Sequence, residues 1–418
     1  MPPIDDSHDD PLAAQYEAYP YPARDPAEER KRLILGSPSD LREVVHYLRH
    51  GRFDPGQPFR ALVAGGGSGD AAIMLAQQLA DEGATAAEVV YLDLSRTSRA
   101  IAEARAKVRG LTNLRFHTGS LEAVAEIAPG PYDYIDCCGV LHHLADPPTG
   151  LAALRAQLAP DGGMGIMVYA PYGRSGVYEL QGLLRQLVSD RPLPEQVALA
   201  RRLVAKLPET NRLRRNPYLS DHKQSDAALV DLLLNLRDRA YRVEDLLYLL
   251  KSADLRAVSF IAPTLYAPET YANDPKLATA FAALSPEARW QAAESLAGNI
   301  RLHIVYAAPT DSPAGEAVIS DVAVPLLTKN SGPELARAAQ QDLSIKATIA
   351  GLALRRRLPR LAPAILSRID GKRSLGEIRA DLQAANPAVT DEAFKEAFAE
   401  TYGALQGLNL LLLRYPGI

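Results

Sequence analysis

The sequence predicts an α/β protein: a doubly wound, mostly parallel seven-stranded sheet with a helical insertion and a mainly α C-terminal domain. Three observations carry that expectation. From residue 41 onward, short apolar runs rich in β-formers alternate with amphipathic helical stretches, a pattern that places a parallel sheet between two layers of helices. The first run ends in Gly65-Gly66-Gly67-Ser68-Gly69-Asp70, where glycine lets the backbone take positive φ and approach a ligand closely. The second ends on a carboxylate, Asp93, at the strand end where open α/β sheets bind their ligands.

Taken in order, residues 1–11 are acidic and expected to be disordered. Residues 12–40 form an arm, and Tyr19-Pro20-Tyr21-Pro22 within it predicts a stiff, extended stretch. A helix is expected over 41–50, a strand over 60–64, and a helix over 70–82 with Asp70 as its cap. Strands follow at 89–92, 114–116, 134–138 and 165–169, with helices over 96–109 and 147–158. Residues 176–252 read as helical throughout, and the sheet resumes at 256–262 and 301–307. A linker is expected at 310–316. The tail reads as helices over 333–358, 360–370, 374–384 and 391–408, closing on the apolar run Leu408–Leu413. The expected division is an arm or lid (1–40), a nucleotide-fold domain (41–310, with its insertion at about 176–252) and a helical C-terminal domain (317–418).

A chain of 418 residues exceeds the ~250–300 residues that one core usually serves, which agrees with more than one domain. Lys+Arg is 46 against Asp+Glu 50, so no global basic excess calls for nucleic acid. The two cysteines, Cys137 and Cys138, are adjacent and have no metal-ligand spacing, which points to a reducing compartment and no metal. The N-terminus shows neither the basic nor the apolar region of a signal peptide. No uncharged apolar run reaches the ~18 residues of a membrane span. The expected location is the cytoplasm, with no membrane partner.

A dinucleotide loop wants G-x-G-x-x-G, with a pyrophosphate at the helix start. Here the third place is Asp70, an anion beside an anion site. That disfavours nicotinamide and flavin dinucleotides and favours a ligand without phosphate. Asp93 suits both hydroxyls of a ribose, although a helix cap would use it equally well.

Loop, acid and later strands together resemble the class I S-adenosylmethionine methyltransferases. The resemblance is carried by Asp136-Cys137-Cys138-Gly139-Val140-Leu141-His142-His143-Leu144, then Leu158-Ala-Pro-Asp-Gly-Gly-Met164 and Ile166-Met-Val-Tyr-Ala-Pro-Tyr-Gly-Arg174. It covers roughly 41–175, and 255–308 fits the family's last strands. The arm segment Tyr16-Glu-Ala-Tyr-Pro-Tyr-Pro22 resembles one preceding some bacterial members. The resemblance implies S-adenosyl-L-methionine as cofactor, with Gly65, Gly66, Gly67 and Gly69 along its methionine and ribose parts. It implies ribose contacts from Asp93 and Leu94, adenine contacts from Ser120 and Leu121, Cys138 and Gly139 beside the donor, and Tyr21 over it. Two departures stand out. Val63 occupies a position that is usually acidic, and Ser120 replaces a usual Asp. They motivate a second reading, a catalytically silent binding protein of the same fold.

Methyl transfer is an in-line displacement for which the enzyme supplies alignment, a dry site and, for a protonated nucleophile, a base. His142 and His143 are the candidate bases. Tyr169 and Tyr172 present π faces to a cation, and Arg174 suits a substrate carboxylate or phosphate. The competing reading makes all five ordinary capping, core and rim residues. The segments 212–222 and 237–241 lie in the insertion, as candidates to shape the acceptor pocket or as solvated faces, and Arg355, Arg356, Arg357 and Arg360 are read as one helix face. Ile369 to Glu377 resembles the turn-and-helix of winged-helix-like modules that bind peptides in bacterial modification systems. With the large insertion, this makes a protein or peptide the expected acceptor, ahead of a small molecule or RNA. The apolar C-terminal run suggests pairing with a second copy of the chain.

Overall fold

The computed structural model describes residues 11–272 and 274–416. The acidic stretch read as disordered therefore lies, up to residue 10, outside the described residues. Seven strands form one sheet: β1 (Phe59–Ala64), β2 (Ala87–Asp93), β3 (Leu114–Thr118), β4 (Tyr132–Cys138), β5 (Leu158–Tyr169), β6 (Leu255–Ile261) and β7 (Leu302–Pro309). Their order is β3-β2-β1-β4-β5-β7-β6. The pairs from β3 through β5 are parallel, and β7 runs antiparallel to both β5 and β6. The strand order reverses between β1 and β4, so the crevice outside their carboxyl ends is the switch point where such sheets bind ligands.

One face of the sheet packs on helices Leu41–Leu48, Asp70–Asp81 and Arg96–Arg109 through Val44, Tyr47, Ile73, Leu75 and Ala102. The other packs on Pro147–Arg155 and Val243–Ser252 through Leu151, Leu154, Leu246 and Leu250. Both faces are covered, which is why β1, β2 and β4 read as continuous apolar runs rather than alternating ones.

Several expectations need correction. The arm opens with a helix, Pro11–Ala18, because Glu17 reaches the start of helix Arg96–Arg109 and accepts from the backbone N–H groups of Arg96 and Thr97. Gly69, with φ +100°, and not Asp70, takes the cap position of the second helix. Strand β5 starts at Leu158, seven residues early, since Leu158 already pairs with Tyr132 ahead of a bulge. The insertion is not helical throughout. After Val177–Val188, Leu193–Ala205, three short turns and a π-turn at Val230–Leu234, the chain leaves helical geometry until helix Val243–Ser252. Its backbone N–H groups are claimed instead by the main helical layer's neighbours: Arg239 donates to the His142 carbonyl and Tyr241 to that of Tyr169.

In the tail, the helix expected over 333–358 is helix Gly332–Gln340 followed by a hairpin, β9 (Ser344–Ile349) with β10 (Leu352–Arg357); β8 (Val324–Leu327) precedes them. Ala350 and Gly351 both take positive φ, the geometry of a two-residue hairpin turn. The arginines 355–357 consequently lie on a strand, where Arg355 pairs with Asp342 and Arg356 bonds Thr270. The helix expected over 360–370 is confined to Ala362–Leu366. Helices Leu375–Ala385 and Asp391–Gln406 lie where expected, the first with the Ser374–Glu377 capping box. These elements share a hydrophobic cluster of their own. The last strand, β11 (Leu411–Arg414), pairs with β8, and Leu412 packs into the cluster around helix Leu41–Leu48. The apolar C-terminal run is therefore covered by the chain itself, which removes the reason for expecting a second copy there. Among the described residues, no helix is long and apolar enough to cross a membrane.

Candidate functional site

At the end of β1 the chain turns through Gly65, Gly67 and Gly69, with φ of +74°, +50° and +100°. A methyl group on Gly65 would strike Val140, and one on Gly67 would sit 2.8 Å from the Tyr21 carbonyl oxygen. The loop is thus held between the exit of β4 and the arm, with room for bare backbone only. Gly66 lies against the Tyr91 ring, whose hydroxyl donates to the Gly67 carbonyl at 2.6 Å. Ser68 Oγ is buried with no partner.

Asp93 ends β2 beside this loop. One carboxylate oxygen accepts from the Gly67 N–H at 2.7 Å and the other from the Ser95 N–H at 2.8 Å. Burial raises its pKa, against the pull of those two N–H groups. Each oxygen keeps a further lone pair, enough for two hydroxyls. The Gly119 N–H donates to the Asp93 carbonyl, which brings Ser120 and Leu121 alongside Leu94. Ser120 is already engaged: its hydroxyl donates to Glu122 at 2.5 Å, so the acid missing at 120 stands two residues on. Gly139, with φ +81°, follows Cys138 at the end of β4. Burial pushes the Cys138 thiol up, so it is no nucleophile. The glycine cradle, the spare carboxylate lone pairs and the orphaned Ser68 hydroxyl fit a ribose-bearing ligand without filling its place.

Asp70 does not present a bare anion. Arg24 reaches it at 2.6 Å and Arg105 at 2.7 Å. Burial raises its pKa, but the two guanidinium groups outweigh that and lower it. Its charge is matched, so it does not by itself repel a phosphate. Arg105, 1% exposed, also pairs with Glu29 and bonds the Ser68 carbonyl, tying the arm to the glycine loop.

Beyond β4 and β5 lies a second, buried polar cluster. Asp231, on the π-turn of the insertion, accepts from Tyr169 at 2.9 Å and from Tyr16 of the arm at 3.2 Å. Asn235 donates to Tyr16. His143 Nδ1 lies 2.5 Å from the Arg237 carbonyl, and its Nε2 lies 4.0 Å from Asp231. His142 packs on the Tyr169 ring at 4.1 Å, and neither of its nitrogens has a partner. Burial first, then His143 and Arg174, pushes its pKa well down, so it is a neutral imidazole. Arg174 lies 3.6 Å over the same ring and pairs with Asp238 at 2.8 Å. Its charge is spent inside the protein, and the expectation that it holds a substrate anion is not met. Tyr172, 40% exposed, stays outside the cluster. The other oxygen of Asp238 is buried and unpartnered.

The structure therefore brings together four of the five expected reaction residues and adds Asp231, Asp238, Asn235 and Tyr16. Asp231 left one signal in the sequence: a lone carboxylate inside the apolar run Ala227–Leu234. An open cleft of about 470 Å³, lined by Pro11, Leu12, Leu236 and Arg237, lies where the arm meets the segment following Asn235. Tyr21 closes on the glycine loop and Tyr19 packs on the insertion core, so one arm spans both ends of the site. Among the described residues there is no group of three metal-ligating side chains.

Comparison with known proteins places this geometry. Residues 62–164 match the family described as "Methyltransferase domain". The uncharacterized protein syc1184_c of Synechococcus sp. is 31% identical over 303 residues, covering 70% of this chain and 69% of that protein. The ubiquinone biosynthesis O-methyltransferase of Paracidovorax citrulli is 32% identical over 121 residues, 28% of this chain and 48% of that protein. In fold, the chain is similar to PKMT2 from Rickettsia typhi, solved alone and in complex with AdoHcy. The TM-scores are 0.62 and 0.59, at 12% and 15% identity, with 90% of this chain covered and 76% and 75% of that one.

Proposed function

We propose, from the premise that the chain belongs to the class I S-adenosylmethionine-dependent methyltransferases, that it methylates an amine on a protein or peptide side chain held in the Asp231–His142 cluster. When bound, the cofactor supplies a methyl group on a sulfonium, which breaks its C–S bond as the new bond to the acceptor forms and leaves S-adenosylhomocysteine. On this reading Gly65, Gly66, Gly67 and Gly69 line the donor, Asp93 and Leu94 take its ribose, and Ser120, Leu121 and Glu122 border its adenine. Cys138 and Gly139 flank the end of β4, and Tyr21 closes over the loop.

The observation that carries the acceptor assignment is the set of buried atoms without partners: both nitrogens of His142 and one oxygen of Asp238. Buried polar atoms are nearly always satisfied, so these orphans, one donor and one acceptor nitrogen of neutral His142 and an acceptor oxygen of Asp238, mark the place of a ligand with both polar hydrogens and a lone pair. An amine has hydrogens to give. Asp231, which accepts from two tyrosine hydroxyls, suits the amine's developing positive charge. Neutral His142 accepts a hydrogen bond from the amine, whose excess proton leaves to water after transfer, and Asp231 positions Tyr169 and Tyr16 around it. A protein acceptor fits the helical surfaces beyond the sheet. A small molecule is the second reading.

Incubation with methyl-tritiated S-adenosylmethionine and fractionated cell extract tests this. Label in the protein fraction, on amine side chains after hydrolysis, is the expected result. Label confined to small molecules or RNA overturns the acceptor. Donor binding with no transfer to any fraction establishes the silent binding protein.

A further inference from the structure

We infer that Asp136 supplies from β4 the charge that Val63 leaves missing on β1, and that it positions the α-ammonium group at the methionine end of the donor. The inference rests on the donor lying in the crevice described above. Val63 and Asp136 are direct partners in the β1–β4 register. In parallel strands, side chains at paired positions leave the sheet on the same face. A carboxylate at 136 therefore stands one strand, about 4.8 Å, from where a carboxylate at 63 would stand.

The environment of Asp136 lacks a cation. Its side chain is buried, with the residue 1% exposed. It accepts from Ser39 Oγ at 2.5 Å and from the backbone N–H of Cys138. Among the described residues no Lys, Arg or His pairs with it, a trait it shares with Asp93, which two backbone N–H groups hold, whereas Glu29 has Arg105 and Arg109, Asp70 has Arg24 and Arg105, and Asp238 has Arg174. Burial pushes its pKa up to about 7, against the two hydrogen bonds. A buried carboxyl without a cation is costly, and neutral residues of similar size would pack as well. The bond to Cys138 draws the carboxyl toward the exit of β4, beside Gly139 and the glycine loop. The methionine end of the donor brings a fixed positive charge to that exit. Ser39 then holds one oxygen in place while the other faces the ammonium.

The test compares two ligands by calorimetry. S-adenosylhomocysteine carries the amino-acid end; 5′-methylthioadenosine has the same nucleoside and thioether without it. Asp136→Asn, which is isosteric, weakens S-adenosylhomocysteine at least tenfold and leaves methylthioadenosine unchanged. Adding Val63→Asp to that variant restores most of the lost affinity. Asp136→Glu keeps the charge but moves it, and gives an intermediate loss for the first ligand only. Equal loss of both ligands makes Asp136 a structural residue and overturns the inference, as does unchanged binding of both. Failure of the unaltered chain to bind S-adenosylhomocysteine at all instead overturns the donor site itself.

Discussion

The two ends of the site are built on opposite plans. The proposed donor end is largely local: a run of glycines, an acid that closes the next strand and a short loop after the third fall within residues 65–122, with the exit of β4 and Tyr21 added from farther away. The acceptor end is assembled at long range. Asp231 meets Tyr16 across 215 residues and Tyr169 across 62, and Asn235 meets Tyr16 across 219. Backbone geometry dictates residue type at the first end, because only glycine tolerates those φ values and that closeness. At the second, any side chain of suitable polarity serves if the fold delivers it.

The largest expected effect tests the donor end. Gly67→Arg places a Cβ against the Tyr21 carbonyl in a backbone that disfavours side chains, and abolishes S-adenosylhomocysteine binding in calorimetry. Measurable affinity would show that the arm yields and that the loop is not the cradle. Next comes the link between the ends. Arg105→Met strands the buried Glu29 and costs about 3–5 kcal/mol of stability in urea unfolding, the usual result of removing one partner of a buried pair. A loss below 1 kcal/mol would mean that Arg109 holds Glu29 alone.

Asp231→Asn probes the acceptor end by itself. It lowers kcat/KM about 100-fold, the scale expected when positioned groups are misplaced by about 1 Å, and leaves S-adenosylhomocysteine affinity unchanged. Equal losses in binding and turnover would merge the two ends into one. Asp93→Ala does the converse, weakening the same ligand by about 1–3 kcal/mol through loss of a charged acceptor. Unchanged affinity would return Asp93 to the role of a cap.

What could be read in advance follows the same division. The sheet and its helices were legible because each rests on a short-range rule, and so were the turn at Gly65, Gly67 and Gly69 and the place of Asp93 at the end of β2: alternation for buried strands, glycine for positive φ, a carboxylate at a strand end. The hairpin of β9 and β10 was not, since Ser344–Arg357 mixes alanine, leucine and arginine, good helix formers, with the turn signal carried by Ala350-Gly351 alone. Asp231 and Asp238 were missed because their partners are far away in sequence. Arg174 was misread for the complementary reason: its chemistry suits an anion, but the anion it meets is Asp238.

The smallest expected effect refines the donor end where it departs from its relatives. Ser120 occupies a position that usually holds an acid, yet its hydroxyl is committed to Glu122 at 2.5 Å and accepts the Glu122 N–H at 3.1 Å. A hydroxyl so engaged orients the neighbouring carboxylate and has little left for a ligand. Ser120→Ala then changes S-adenosylhomocysteine affinity by under about threefold, within ~0.6 kcal/mol, roughly half of a typical hydrogen bond. Glu122→Ala costs more, because it removes the acid itself. If the order is reversed, the serine hydroxyl meets adenine directly, and the local plan of the donor end reaches one residue less far than the geometry indicates.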